Sequence, residues 1–193
     1  MKNSLPAETL IRNYDPATYR MRTFLDVRDS FLEGSDSPRD YLERCLECID
    51  SWEPQVKAWV VFNLEKARQA ADESGKRYRQ GMPLSVIDGM PLGIKDVLQT
   101  RDMPTELGSP IFKGRETNLD TASVNALRLA GGVILGKTVT TEFAFVKPGP
   151  TTNPFDPQAT PGGSSSGTSA AVGAGMIPAG LGNQVVGSVI RPA

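Results

Sequence analysis

The stretch Thr121-Ala122-Ser123-Val124-Asn125-Ala126-Leu127-Arg128-Leu129-Ala130-Gly131-Gly132-Val133-Ile134-Leu135-Gly136-Lys137-Thr138 reads as a helix, Thr121 to Ala130, followed by a buried strand, Gly132 to Leu135. The same alternation runs upstream. Ala58-Trp59-Val60-Val61-Phe62 reads as a strand, Leu64 to Gln80 as a charged amphipathic helix that Gly81 ends, and Pro91-Leu92-Gly93-Ile94 as a short strand running into Lys95-Asp96. Strands alternating with helices imply an α/β layer architecture, here a mixed sheet flanked by helices. The quoted stretch also contains Gly131 to Thr138, which satisfies the phosphate-loop spacing G-x-x-x-x-G-K-[ST]. That loop needs a strand before its glycines, small flexible residues between them and a helix after the lysine. Here a helix comes first and Val133-Ile134-Leu135 fills the place of the cradle, so the match is read as chance.

Residues 1–55 read as an N-terminal helical arm, and residues 56–193 as the α/β part. Leu25, Val27, Phe31 and Leu32 fall at helical spacing and Gly34 closes that element. Ser37-Pro38-Arg39-Asp40 supplies an N-cap, a first-turn proline and an acid at the third position. Tyr41, Leu42, Cys45, Ile49 and Trp52 form the apolar stripe of the next helix, which Pro54 is expected to end. Cys45 and Cys48 make a C-x-x-C, but redox chemistry needs that motif at a helix N-terminus beside a βαβ unit. Lying mid-helix, they are read as two buried thiols of a reducing compartment, and the arm as packing without chemistry.

Composition excludes several function classes. A length of 193 residues suits one domain or a piece of one, and 21 basic against 22 acidic residues give no handle for nucleic acid or an anionic membrane. Met1 to Tyr14 carries no apolar run behind its lysine, and no stretch is long and apolar enough to span a bilayer, so a cytoplasmic location is expected. The chain has no histidine, which removes Ser-His-Asp and Cys-His mechanisms and any His-ligated metal. Neither a metal nor a cofactor is expected.

From Pro157 to Ile190 there is no charged residue, and Gly, Ser and Ala dominate. A flexible linker has that composition. Yet the segment also carries Val172, Met176, Ile177, Leu181, Val185, Val186, Val189 and Ile190, which a solvated linker does not need. The reading adopted is a buried core lining a site. Gly163-Ser164-Ser165-Ser166-Gly167 fits the nucleophile elbow G-x-S-x-G, but Pro157 and Pro161 deny it the preceding strand and no His is present to act as base. A serine can instead be activated by a lysine whose pKa burial has lowered. Lys95, after Leu92-Gly93-Ile94, is the candidate base.

Three stretches resemble the amidase signature family: Asp88-Gly89-Met90-Pro91-Leu92-Gly93-Ile94-Lys95-Asp96, the Gly/Ser-rich Pro161 to Ala171, and Gly182-Asn183-Gln184-Val185-Val186-Gly187-Ser188-Val189-Ile190-Arg191-Pro192-Ala193. Leu135 to Thr138 and Thr141-Glu142-Phe143-Ala144 are similar to it too. The resemblance implies the amidase signature fold, incomplete here, and a Ser-cisSer-Lys triad. In that triad Lys95 would be the base, Ser164 the bridging serine after a cis peptide from Gly163, and Ser188 the nucleophile. It further implies an oxyanion hole from the backbone of Val185, Val186, Gly187 and Ser188, with Ser165 supporting the relay; Ser166 and Ser169 are left to local backbone bonding. The family's loop usually reads T-G-G-S. At Val186 a β-branched residue replaces a glycine that would allow positive φ and close approach.

The implied activity is hydrolysis of a small carboxamide at its carbon–nitrogen bond through an acyl-enzyme, without a cofactor. The alternatives are the glutamine-hydrolysing A chain of an amidotransferase and a catalytically inactive amidase-like module for binding or assembly. The expected partner is a small-molecule amide. The chain would represent an N-terminal portion ending just after the nucleophile motif, its apolar surface covered by a missing C-terminal segment or a homo-oligomer.

Overall fold

A computed structural model describes residues 23–193. The Met1–Tyr14 stretch, and the part of the expected arm that precedes Thr23, lie outside the described residues. The elements run α1 (Leu25–Glu33), α2 (Pro38–Val56), β1 (Trp59–Phe62), α3 (Leu64–Arg79), β2 (Pro91–Lys95), α4 (Ala122–Leu129), β3 (Val133–Thr138), α5 (Ser166–Gly173) and β4 (Ala179–Leu181). The four strands form one mixed sheet in the order β1-β3-β2-β4, with β1 antiparallel to β3 and β2 parallel to both β3 and β4. All residues of β2 and β3 are buried, as the two central strands of a sheet covered on both faces must be. One face packs on α2, α3 and α5 through Leu42, Ile49, Val56, Ala67, Ala71, Leu135, Ala170 and Ile177. The other, with Leu92, Ile94 and Ile134, packs on Val124 of α4 and on Met103.

Local chemistry explains most boundaries. Gly34 takes the left-handed conformation that ends α1 (φ 74), and Ser37 caps α2 by accepting from Asp40 N at 3.1 Å. Two expectations are corrected. Pro54 does not end α2, because a proline in the last turn sacrifices only its own N–H and the helix closes at Lys57 instead (φ 52). The Glu53 carboxylate then accepts from Ala58 N and Trp59 N, both at 2.9 Å, which turns the chain into β1. Secondly, β3 continues beyond Leu135 to Thr138, since both its neighbours offer ladder partners that far. The lysine of the phosphate-loop match is therefore a mid-strand residue. Of the two thiols, Cys45 is buried and Cys48 only half-buried.

The pairing of β2 with β3 contains a bulge. Leu92 faces Ile134, but Gly93 faces Gly136, so Leu135 is passed over and Ile94 and Lys95 stand opposite Lys137 and Thr138.

The turn into β2 hangs on Asp88, whose side chain is fully buried. Arg77 donates to both its oxygens, Nη2 to Oδ1 at 2.6 Å and Nε to Oδ2 at 2.8 Å, and Leu84 N donates to Oδ2 at 2.8 Å. Burial alone would raise this carboxyl, but the Arg77 fork and the Leu84 amide together hold it below its ordinary 3.8. Its contribution to stability is thus complete above the unfolded value and is lost as the pH falls through the lower folded one. Asp88→Asn strands the guanidinium and is expected to cost about 3 kcal/mol, towards the lower end for a broken buried pair. Urea denaturation at neutral pH checks the loss, and repetition in acid should show the gap to the parent chain closing.

Candidate active site

Lys95 ends β2 with its side chain wholly buried. Its Nζ is hydrogen-bonded to Ser164 Oγ at 2.7 Å and donates to Asn183 O at 3.3 Å. Burial lowers its pKa from 10.5 to about 8, and no carboxylate among the described residues is close enough to offset this with an ion pair. Lys137, equally buried one strand away, is provided for differently. It donates to Asp96 Oδ1 at 2.9 Å, to Pro104 O at 3.0 Å and to Thr105 Oγ1 at 2.8 Å, which uses all three ammonium protons. Burial pushes Asp96 up and Lys137 down, while their attraction works against both shifts.

The serines come from the Gly/Ser run between β3 and α5. The Gly163–Ser164 peptide is cis. Ser164 O accepts from Thr141 N at 3.1 Å, and a Cβ on Gly163 would lie 2.7 Å from Thr141 Cγ2, so glycine alone permits that approach. Ser164 and Ser165 are buried. Ser165 N donates to Ser188 O at 3.0 Å, which brings the main chain of the third candidate serine to the same corner, although its hydroxyl makes no hydrogen bond to Ser164, and Ser165 Oγ donates to Asn183 O at 3.4 Å. Ser166 differs from the expectation of local bonding: its hydroxyl donates to Val139 O at 3.4 Å, because α5 begins directly against the end of β3. No strand leads directly into this run, so it is not a nucleophile elbow.

Ser188 is half-buried at the start of a turn in which Arg191 N donates to Gly187 O (2.9 Å) and Ala193 N to Val189 O (3.1 Å). Among the described residues, none of the N–H groups of Val185 to Ser188 donates to a protein acceptor. The buried-core reading fails at this end: Val185 is 93% exposed, Val186 86% and Ile190 76%. Here the chain leaves the sheet after Leu181, so aliphatic composition no longer coincides with burial. Val186 also sits outside the positive-φ region, so its backbone does not require the glycine usual there.

Two contributors escaped sequence reasoning. Asn183 supplies its main-chain oxygen to both Lys95 and Ser165, a role no residue type advertises. Gln184 Oε1 accepts from Val189 N and Ile190 N, each at 2.9 Å, and so shapes the turn behind Ser188. An amide acceptor just before a turn with orphan N–H groups was the available signal. A cavity of about 690 Å³ opens beside α5 and β4, lined by Ser165, Thr168, Val172, Pro178, Val189 and Arg191 among others, but not by Lys95, Ser164 or Ser188. Among the described residues no three His, Cys, Asp or Glu side chains gather as a metal site would require, and no helix is long and apolar enough to cross a membrane.

The amidase family profile matches residues 40–193, a span holding every residue just described. The chain belongs to the amidase family. It is 41% identical over 157 residues to the A chain of the glutamyl-tRNA(Gln) amidotransferase of Chloroflexus aggregans, which covers 78% of this chain and 32% of that protein. Against the corresponding chain of Leptospira interrogans the identity is 35% over 178 residues, covering 89% and 37%. Among solved structures, the native peptide amidase of Stenotrophomonas maltophilia superposes with a TM-score of 0.82 at 27% identity, over 92% of this chain and 39% of that one. The mixed sheet with its flanking helices is thus the amidase fold, and the chain spans about a third of the length of the curated relatives it matches.

Proposed function

We propose that this amidase-family chain carries the catalytic residues for hydrolysis of a carbon–nitrogen amide bond, with Lys95 as base, Ser164 as relay and Ser188 as nucleophile. The observation that carries the reading is the 2.7 Å contact between Ser164 Oγ and a buried lysine amine without a carboxylate partner. In water such an amine is protonated and useless as a base; with a pKa near 8 a workable fraction is neutral. Ser188 Oγ attacks the carbonyl carbon as its proton passes to Ser164 Oγ, whose own proton moves to Lys95 Nζ. The oxyanion is held by backbone N–H groups of Val185 to Ser188, which have no competing acceptor. Collapse breaks the carbon–nitrogen bond, and the proton returns from Lys95 through Ser164 to the leaving amine. Water then hydrolyses the ester on Ser188 and releases the acid.

Because the base must be neutral, acylation by a fluorophosphonate should rise with pH through about 8 and level above it. Below that value the rate should fall about tenfold per pH unit. A profile flat from neutral pH upward would exclude Lys95 as the base.

The second reading, the glutamine-hydrolysing A chain of an amidotransferase, is favoured by the curated relatives at 35–41% identity, which bear that name. Both readings use the same three residues. Ammonia release from glutamine, set against release from simple carboxamides, separates them. A folded chain whose Ser188 resists every acylating probe would instead be a binding or assembly module.

A further inference from the structure

Two buried lysines stand on adjacent parallel strands, and only Lys137 has a carboxylate. That carboxylate, Asp96, directly follows Lys95 in the chain. Ile94, not Lys95, is the register partner of Lys137, so the two lysines point to opposite faces of the sheet. Lys95 goes towards Ser164 and Asn183, Lys137 towards the loop at Pro104 and Thr105. Asp96 is anchored as well: its N donates to Thr138 O at 2.9 Å and its Oδ2 accepts from Glu106 N at 3.1 Å.

We propose that the Lys137–Asp96 pair is a charge lock that leaves Lys95 a free base, which makes Lys137 a positioning residue for the lysine–serine relay. An uncompensated carboxylate on the residue that follows Lys95 would favour its ammonium form and withdraw it as a base. Lys137 cancels that field from the far face without entering the site. The other charged groups around Lys95 are few. On the loop after β2, Glu106 and Asp102 act on Lys137, and on the segment touching Ser164, Glu142 is paired with Lys147 at 2.9 Å. The segment from Pro157 to Ile190, including α5 and β4, offers no charge until Arg191.

The catalytic meaning of the lock rests on Lys95 being the base, but its electrostatics can be read without turnover. The Lys95 amine is titrated by nitrogen-15 NMR in the whole chain, its resonance assigned with Lys95→Arg. Lys137→Met should raise the Lys95 midpoint by about one pH unit. Adding Asp96→Asn should return it to the parent value, whereas Asp96→Asn alone should leave it near that value, because burial then strips the partnerless Lys137 of its charge as well. A rise that the second substitution cancels is beyond what loosened packing produces. A midpoint that stays put or falls in Lys137→Met, or that Asp96→Asn fails to restore, overturns the lock. If Lys137→Met does not fold, Lys137→Gln takes its place, and Lys137→Arg must leave the midpoint unmoved. Titrations that behave as stated while Ser188 stays unreactive would sink the catalytic reading and leave the lock standing; a reactive Ser188 with unmoved midpoints would do the reverse.

Discussion

Ser188→Ala should abolish labelling by a fluorophosphonate, while Lys95→Met should slow it by roughly 10²–10⁴, the range lost with a general base. Methionine keeps most of the volume of the buried stem, so the loss reports the amine rather than a cavity. Ser164→Ala should fall in the same range as Lys95→Met, and combining the two should cost little more than either alone, because residues acting as one relay are not additive. Circular dichroism of each variant separates lost chemistry from lost fold. Label found on another serine, or an undiminished rate in Lys95→Met, would refute the assignment of roles.

The second large effect concerns stability. Gly167 stands in the first turn of α5, and a Cβ there would fall on the backbone at Ala58 O and Val139 N. Gly167 N donates to Val139 O at 2.9 Å, so helix and strand are already in contact through their main chains. Neither obstacle is a side chain that can turn away. Gly167→Ala is therefore expected to destabilise by about 3 kcal/mol, the upper end for overpacking. For a chain of this size that is a fall in melting temperature of about 6–12 °C. Gly173 in the same helix is the control. Its added Cβ would meet Phe155 and Pro154 at an ordinary 3.5 Å, and Gly→Ala within a helix favours folding by about 0.5–1 kcal/mol. The same substitution at the two ends of one short helix should move the melting temperature in opposite directions.

What could be read from the sequence follows from where the physics is local. The start of α2 was legible because Ser37, Pro38 and Asp40 each satisfy a specific backbone need within one turn. The end of that helix was not, since the closing hydrogen bonds come from Glu53 reaching forward to Ala58 and Trp59. The order of strands and helices was legible from period and length, yet the full reach of β3 depended on ladder partners far along the chain. At the site, the absence of histidine directed attention to lysine, and Lys95 is the lysine buried against Ser164. Composition misjudged Val185 and Val186, whose aliphatic side chains are exposed once the chain has left the sheet. The Asn183 carbonyl carried no signal at all, being a backbone atom whose use depends on three-dimensional closure.

The bulge between β2 and β3 has a chemical consequence. Were the ladder regular after Leu92 and Ile134, Gly93 would face Leu135, Ile94 would face Gly136, and Lys95 would face Lys137. Both amines would then emerge on one face, side by side, competing for one hydroxyl and repelling each other's proton. Skipping Leu135 sends the second amine through to the opposite side of the sheet. A single residue passed over in one ladder thereby decides how many amines this corner of the protein contains.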